Sequence, residues 1–257
     1  MKGFMKLQGI RTTRYRSFLF PEASIKEGVI TLDSRESHHL VRVLRARKGT
    51  PVEVLDGNGT HYFGTIEILD ARAVVISVNS IKRTAMAEPR IVLLQSESKG
   101  KAMDFILRMA TEIGVAAIQP VFTDQGDHVS SKIEKRSITM IEACKQCGLG
   151  HLPELREPCR LQEWLKENSC ADDSLRLVAS LEEESQPLLE GLSRSSRKIN
   201  EVIVAVGPVG DFSAAEYELL REANFKAVRL GANVLRVETA ATYLLSVIDQ
   251  ALRTRLS

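Results

Sequence analysis

The chain has 257 residues, 44% hydrophobic and 26% charged, enough for one large domain or two ordinary ones. No apolar run approaches the roughly 20 residues of a membrane span, and the basic start MKGFMKLQGIRTTRYR lacks an apolar stretch followed by small residues. A membrane protein and a secreted one are therefore not expected, and the cytoplasm is the expected compartment.

The formal net charge of +2 is unevenly placed. Residues 1–87 hold 14 Lys and Arg against 8 Asp and Glu, whereas residues 88–257 hold 21 against 25. A basic front on a mildly acidic remainder suggests a module that meets a polyanion, nucleic acid above all. Chance imbalance on a solvated surface is the plainer alternative. The four cysteines, 144, 147, 159 and 170, include one Cys-x-x-Cys, but Cys159 and Cys170 are too far apart to complete a zinc ribbon. KRSITMIEACKQCG also reads as a helix with Ile138, Ile141 and Cys144 at helical spacing, so buried or partly buried reduced thiols are expected. No metal constellation appears, and His38-His39 is expected at the surface or on RNA.

In chain order, the front reads mostly as strands. SHHLVRVLRAR (37–47) is one short helical stretch, with Leu40, Val43 and Leu44 on one face and Arg42, Arg45 and Arg47 on others. VEVLD (52–56) and YFGTIEIL (62–69) flank Asp-Gly-Asn-Gly, a hairpin signal, and AVVISV (73–78) follows. Short strands with one small helix predict a compact β-barrel. The aperiodic stretch 81–90 is the expected linker, which divides the chain into residues 1–87 and 88–257.

The second part alternates. IVLLQS, AAIQPVFT, LRLVASL, VIVAVG and KAVRLG read as strands. MDFILRMATEIG reads as a helix with Ile106, Met109, Ala110 and Ile113 inward, stopped by Gly114, and VETAATYLLSVIDQALRTR closes the chain as one long helix. Such alternation predicts an α/β domain with a mostly parallel sheet covered on both faces.

Two loops carry candidate chemistry. VIVAVG runs into Gly207-Pro208-Val209-Gly210, and Ser213 with Glu216 then forms a capping box. Glycines at a strand-to-helix turn let a ligand approach the main chain. The spacing fits neither the dinucleotide fingerprint nor the P-loop, and a structural turn is the alternative. In VRLGANVLRVETAA, an irregular loop joins Leu230-Gly231 to Arg236, Glu238 and the last helix. Successive turns of this kind fall on the carboxyl edge of an α/β sheet, where ligands bind. Glu238 reads equally well as first-turn compensation of the helix dipole.

The GP-x-G turn, the LG-x-x-VLR-x-ETA loop, GKAMDFILRMATEIGV, EACKQCG–LPEL, and RYRSFLF…SHHLVRVLRARKGTPVEVLDGNG occur here in one order. Together they resemble the 16S ribosomal RNA uridine-N3 methyltransferases over roughly residue 14 to the C-terminus. The resemblance implies a SPOUT-type domain with a trefoil-knotted parallel sheet, preceded by a small PUA-like β-barrel. It also implies S-adenosyl-L-methionine as cofactor, 16S rRNA in the small ribosomal subunit as partner, and a homodimer.

Carried onto this chain, the cofactor loops are Ser180 at the end of LVAS; Gly207, Pro208 and Gly210; and Leu230, Gly231, Val234, Leu235 and Arg236. Arg236 is the candidate for stabilising an anionic uridine or orienting a phosphate, and Glu238 for base or Arg-positioning group. Arg42, Arg45, Arg47 and Lys48 are the expected phosphate contacts, with Arg14 and Arg16 as a second group; a solvated basic face is the alternative. Two departures stand out: Val209 and Asp211 replace the Glu and a Gly of the family's GPEGG turn, and Leu149 replaces an Arg after QCG. They keep open an RNA-binding or ribosome-assembly protein without turnover, and a different RNA target. An α/β enzyme with another nucleotide cofactor is a further alternative.

Overall fold

A computed structural model describes residues 15–127, 133–168, 173–193 and 199–256. Arg14 and Cys170 lie outside the described residues. The chain forms two compact units, Met1–Ala85 with Gly148–His151, and Met86–Cys147 with Leu152–Ser257. Among the described residues no helix is long and apolar enough to cross a membrane.

The first unit is a six-stranded sheet in the order β1-β4-β5-β6-β3-β2. Its strands are β1 (Arg16–Phe18), β2 (Ser24–Lys26), β3 (Val29–Thr31), β4 (Pro51–Leu55), β5 (Thr60–Ile68) and β6 (Val75–Arg83). Only β1 and β4 run parallel; the rest pair antiparallel. The hairpin turn between β4 and β5 forms because the Asp56 carboxylate accepts from Asn58 N and Thr60 N, both at 2.8 Å. Gly59 is required there, since a Cβ would collide with the His151 ring and the Thr84 carbonyl. Register shifts at Phe63/Gly64 and Ile66/Ile68 bulge β5, and bulges bend a sheet around its core. That core includes Ile30, Leu32, Leu40, Val52, Val54, Ile66, Val74 and Ile76. β6 continues into the segment expected as linker, so the connection to the next strand is shorter than 81–90.

The short helix differs from its expected form. Asp33 caps α1 (Ser34–His38) by accepting from Arg35 N and Glu36 N, and the chain continues as a π-helical turn over His39–Val43. Wider i→i+5 winding turns less per residue than the α-helix, so the expected face slips. Leu40 is fully buried, but Val43 stands 60% exposed. Buried Glu36 binds the helix to β1, accepting from Ser17 Oγ at 2.5 Å and Phe18 N at 3.0 Å.

The second unit is built on an eight-stranded sheet. Its strands are β7 (Arg90–Ser96), β8 (Ala117–Phe122), β9 (Glu154–Leu155), β10 (Cys159–Arg160), β11 (Ser174–Ala179), β12 (Gln186–Pro187), β13 (Glu201–Val206) and β14 (Lys226–Arg229). The order is β10-β8-β7-β13-β11-β14-β12, with β9 on β8, and every pairing is parallel. The helices are α2 (Lys101–Ile113), α3 (Ile133–Cys147), α4 (Leu161–Glu167), α5 (Leu188–Ser193), α6 (Ala214–Glu222) and α7 (Val237–Leu256).

Alternation along the strands feeds two cores. Ile91, Leu93, Leu175, Leu177, Val202, Val204 and Val206 face α2, α5 and α7. Val92, Leu94, Val178, Ile203 and Ala205 face α4 and α6. Strands buried on both faces read as near-continuous apolar runs for this reason. Each fully buried aliphatic side chain contributes about 1.5–3 kcal/mol, which fixes the strand ends that carry the loops. Gly114 caps α2 with left-handed backbone, its N–H donating to Ala110 O and Thr111 O. Cys144 is buried and Cys159 half-buried, but Cys147 is exposed, correcting the expectation that all the thiols turn inward. Burial pushes the Cys144 thiol up to about 12, so it stays protonated and unreactive. The described residues contain no group able to hold a metal ion.

Candidate functional site

Parallel pairing brings the carboxyl ends of β7, β8, β11, β13 and β14 to one edge of the sheet. There they surround a cavity of about 730 Å³, within the usual range for small-molecule sites. Every residue the sequence placed on the cofactor loops lines it: Ser180; Gly207, Pro208 and Gly210; and Leu230, Gly231, Val234, Leu235 and Arg236. Glu238, in the first turn of α7, lines it too.

The structure adds two segments that sequence reasoning missed, Glu97–Lys99 after β7 and Gln125–Asp127 after β8. Both follow strands that were recognised, so their place on the same edge was the available signal. A glycine sits at each strand-to-helix connection, Gly100 at the N-cap of α2 and Gly126 after β8, a further signal that sequence reasoning passed over.

The loops are tied together by side chains. Arg136 of α3 donates to both oxygens of Glu97, at 2.6 and 2.7 Å, and both residues are buried. Lys99 meets Asp127 twice, through Nζ at 2.7 Å and through its main-chain N at 2.8 Å. Ser96 and Thr123 share a hydroxyl hydrogen bond of 2.7 Å, and a Cβ on Gly126 would strike it. The expected capping box is present: Ser213 Oγ accepts from Glu216 N, and Glu216 Oε2 accepts from Ser213 N. Glu216 reaches further, accepting from Asp124 N at 2.9 Å, and Ser213 Oγ donates to Asp124 at 2.6 Å. The cap of α6 thus also holds the loop after β8.

At the ligand side, little projects inward. A Cβ built on Gly231 meets nothing within 4 Å, so a ligand can lie against the main chain there. Ser180 is buried, donates its N–H to Val228 O, and accepts from Glu182 N. Leu181, Val209 and Val234 stand exposed around the mouth. The Arg236 carbonyl accepts from Ala240 N at 2.8 Å, opening α7. Its exposed guanidinium makes no hydrogen bond or ion pair with the described residues, and neither does the half-buried Glu238 carboxylate.

On the first unit, Arg42, Arg45, Arg47 and Lys48 are all exposed. Arg45 has left-handed backbone, φ 53°, just past the π-helical turn. Arg16 behaves differently from its expected role. Its Nε donates to Glu53 at 2.6 Å, its side chain is only 15% exposed, and Glu53 also meets His61 Nδ1 at 2.8 Å. That pairing explains why it is not offered to solvent. His38 is exposed and His39 half-buried.

The chain matches the RNA methyltransferase domain family over residues 86–249 and the RNA methyltransferase PUA domain family over residues 32–79. It is 28% identical to ribosomal RNA small subunit methyltransferase E of Synechocystis over 242 residues, 93% of this chain and 78% of that one. It is 29% identical to the protein of the same name from Aquifex aeolicus, over 80% of this chain and 88% of that one. Among solved structures, it resembles ribosomal RNA small subunit methyltransferase E of Neisseria gonorrhoeae bound to S-adenosylmethionine. That match has TM-score 0.81 and 26% identity, covering 92% and 98% of the two chains. A putative methyltransferase of Legionella pneumophila with bound cofactor gives TM-score 0.79 and 28% identity, covering 92% and 97%.

Proposed function

Because the chain belongs to the RNA methyltransferase domain family, we propose that it transfers a methyl group from S-adenosylmethionine to N3 of a uridine in 16S ribosomal RNA. The carrying observation is that all the loop residues named from the sequence converge on one carboxyl-edge cavity. Solved relatives that hold S-adenosylmethionine align with over nine-tenths of the chain.

The residues present fit that cofactor. The open face of Gly231 leaves main-chain groups accessible, the glycines of the 207–210 turn let Phe212 and Gln125 pack close against it, and the apolar lining suits an adenine and a methionyl chain. When bound, S-adenosylmethionine supplies a sulfonium-activated methyl group. The protein must then hold the uridine in line with it. N3 attacks poorly while it carries its proton, so negative charge must be drawn onto the base. The unpaired guanidinium of Arg236 suits that charge, or a neighbouring phosphate. Glu238, in the first turn of α7, is the candidate to accept the N3 proton or to orient Arg236. A target within folded RNA must be splayed out to reach the cavity.

The proposed division of labour assigns RNA positioning to residues 1–87 and transfer to residues 88–257, as the two family matches support. Arg42, Arg45, Arg47 and Lys48 are the proposed phosphate contacts. A ribosomal substrate supports work in the cytoplasm. A homodimer is supported by the apolar side chains of Phe105, Leu189 and Tyr243 left exposed on the second unit. A second reading, RNA binding without turnover, is favoured by exposed Val209, which brings no functional group to the turn where the resemblance places a carboxylate. Purified protein, S-adenosylmethionine and small subunits from a strain lacking the gene decide between them. N3-methyluridine is expected at one position of 16S rRNA by mass mapping; RNA that is bound but never methylated would establish the second reading instead.

A further inference from the structure

We propose that Asp211, with Tyr217, is a positioning residue that latches the 180–181 loop to the 207–211 turn and so sets cofactor affinity. The proposal rests on reading this cavity as the cofactor site.

Asp211 sits in left-handed backbone, φ 73°. That conformation disfavours a non-glycine residue, although Asp tolerates it better than most. Its carboxylate makes three hydrogen bonds, all within the structure. Oδ1 accepts from Phe212 N at 2.9 Å and from the Tyr217 hydroxyl at 2.8 Å. Oδ2 accepts from Leu181 N at 3.1 Å. The first bond is local. The other two cross between elements, reaching α6 on one side and the end of β11 on the other.

The partners are fixed in turn. Tyr217 is 4% exposed and packs edge-on against Phe212, ring centroids 5.7 Å apart. Phe212 lies where a Cβ on Gly207 would touch it. Burial, foremost, raises the Tyr217 hydroxyl above its ordinary range, so it remains a donor to the carboxylate. Leu181 shows the opposite division: its side chain is 58% exposed, while its main-chain N–H is pinned. A hydrogen bond that holds only the backbone of a pocket residue orders the loop without filling the pocket.

Tyr217 also reaches the Ser180 side chain, and a further contact joins α6 to this loop, Arg221 with Glu182 at 2.5 Å. Both side chains are about a third exposed or more, and surface pairs contribute little. Asp211 differs in that its carboxylate holds Leu181 N and the hydroxyl of the buried Tyr217 ring at once, so it joins the loop to α6 through an anchored side chain. Loops ordered before the ligand arrives need not be ordered by it, and affinity gains by that amount.

The test compares Asp211→Gly, Asp211→Asn and Tyr217→Phe with the wild type. Amide hydrogen exchange at Leu181 is measured without ligand, and affinity for S-adenosylhomocysteine by calorimetry. Asp211→Gly removes the latch and the backbone strain together. Its melting temperature should therefore change little while Leu181 exchanges faster and the Kd rises about tenfold. Asn tolerates the same backbone and keeps one acceptor oxygen, so it should recover part of the loss. Tyr217→Phe, the mildest change, should raise the Kd about threefold. Asp211→Gly with a Kd within twofold of wild type would overturn the proposal, whether or not exchange accelerates. A wild-type protein that binds no S-adenosylhomocysteine would overturn the reading of the cavity itself, an outcome separable from failure of the latch alone.

Discussion

Around the cavity, several charged side chains are engaged within the structure: Glu97 with Arg136, Lys99 with Asp127, and Glu216 with the amides of Asp124 and Ser213. On the basic stretch of the first unit, Arg42, Arg45, Arg47 and Lys48 project into solvent, their side chains making no hydrogen bond or ion pair with the described residues. The two regions use charge for different ends. A paired, buried ion is committed to geometry, and removing one partner strands the other. An exposed cation with no partner is available to an anion that arrives from outside. Each region also holds exceptions. Arg229, Arg236 and Glu238 line the cavity and make no side-chain hydrogen bond or ion pair with the described residues, and Arg16 is paired within the basic unit. The contrast predicts that pairing, more than position in the chain, separates ligand-contacting arginines from structural ones.

The largest effect should come from Arg236. Removing one pre-placed electrostatic donor commonly costs about 10²–10³ in rate. Single-turnover methyl transfer to small subunits, at saturating cofactor, should slow by that order for Arg236→Ala. Arg236→Lys keeps the charge but loses the planar set of donors, so it should recover only part. A normal rate for Arg236→Ala would break the contrast where it matters most, by showing an unpaired arginine at the mouth with no part in transfer.

The next effect concerns the basic stretch. Arg42, Arg45 and Lys48 changed together to Ala should weaken binding to small-subunit RNA about tenfold or more. The dependence of log K on log salt should become shallower by about 2, since each neutralised phosphate contributes roughly 0.7 on single strands. Affinity for S-adenosylhomocysteine should not move. An unchanged salt slope would leave these side chains as a solvated face.

How far the sequence foretold this arrangement depended on what each signal measures. Apolar runs located β7, β8, β11 and β13 closely, because strands buried on both faces have no other way to be written, and β14 was found although Lys226 and Arg229 leave it exposed at both ends. Glycine-containing strand ends marked two of the cavity's loops and the family resemblance a third, Ser180, yet the segments at Glu97 and Gln125 went unmarked. Their role depends on sheet order, which places β13 between β7 and β11 although it follows both in the chain. Periodicity carries no information on that order, nor on a knot. The helix at 37–47 was found but its face was misjudged at Val43, because a π-helical turn has no distinct composition. Gly148–His151 returns to the first unit through Asn58, Gly59 and Thr84, contacts far apart in sequence that no local pattern encodes. Arg14 and Arg16 were grouped by charge alone. For Arg16 the pairing partner, Glu53, lies 37 residues away and becomes visible only once β1 is paired with β4.

Arg16 therefore supplies the finest test of the contrast, with the smallest functional effect. Its register partner on β4 is Glu53 itself, and the same carboxylate is met by His61, so the three side chains form one cluster inside the first unit. Glu53 is 5% exposed. In Arg16→Met the aliphatic stem is retained and the positive charge is lost. The carboxylate keeps His61 but loses its strongest donor, and an imperfectly satisfied buried group costs about 1–3 kcal/mol. For a protein of this size, each kcal/mol lowers the melting temperature by about 2–4 °C. The salt dependence of RNA binding should meanwhile equal that of the wild type, because no phosphate contact is removed. Glu53→Gln separates stability from binding further, since it weakens the pair while leaving Arg16 charged; it should lower the melting temperature and leave the salt slope alone. If Arg16→Met instead flattens the slope by about 0.7, as one lost phosphate contact would, then a paired and largely buried arginine also reads RNA. Pairing in the free protein would then no longer tell the two kinds of arginine apart.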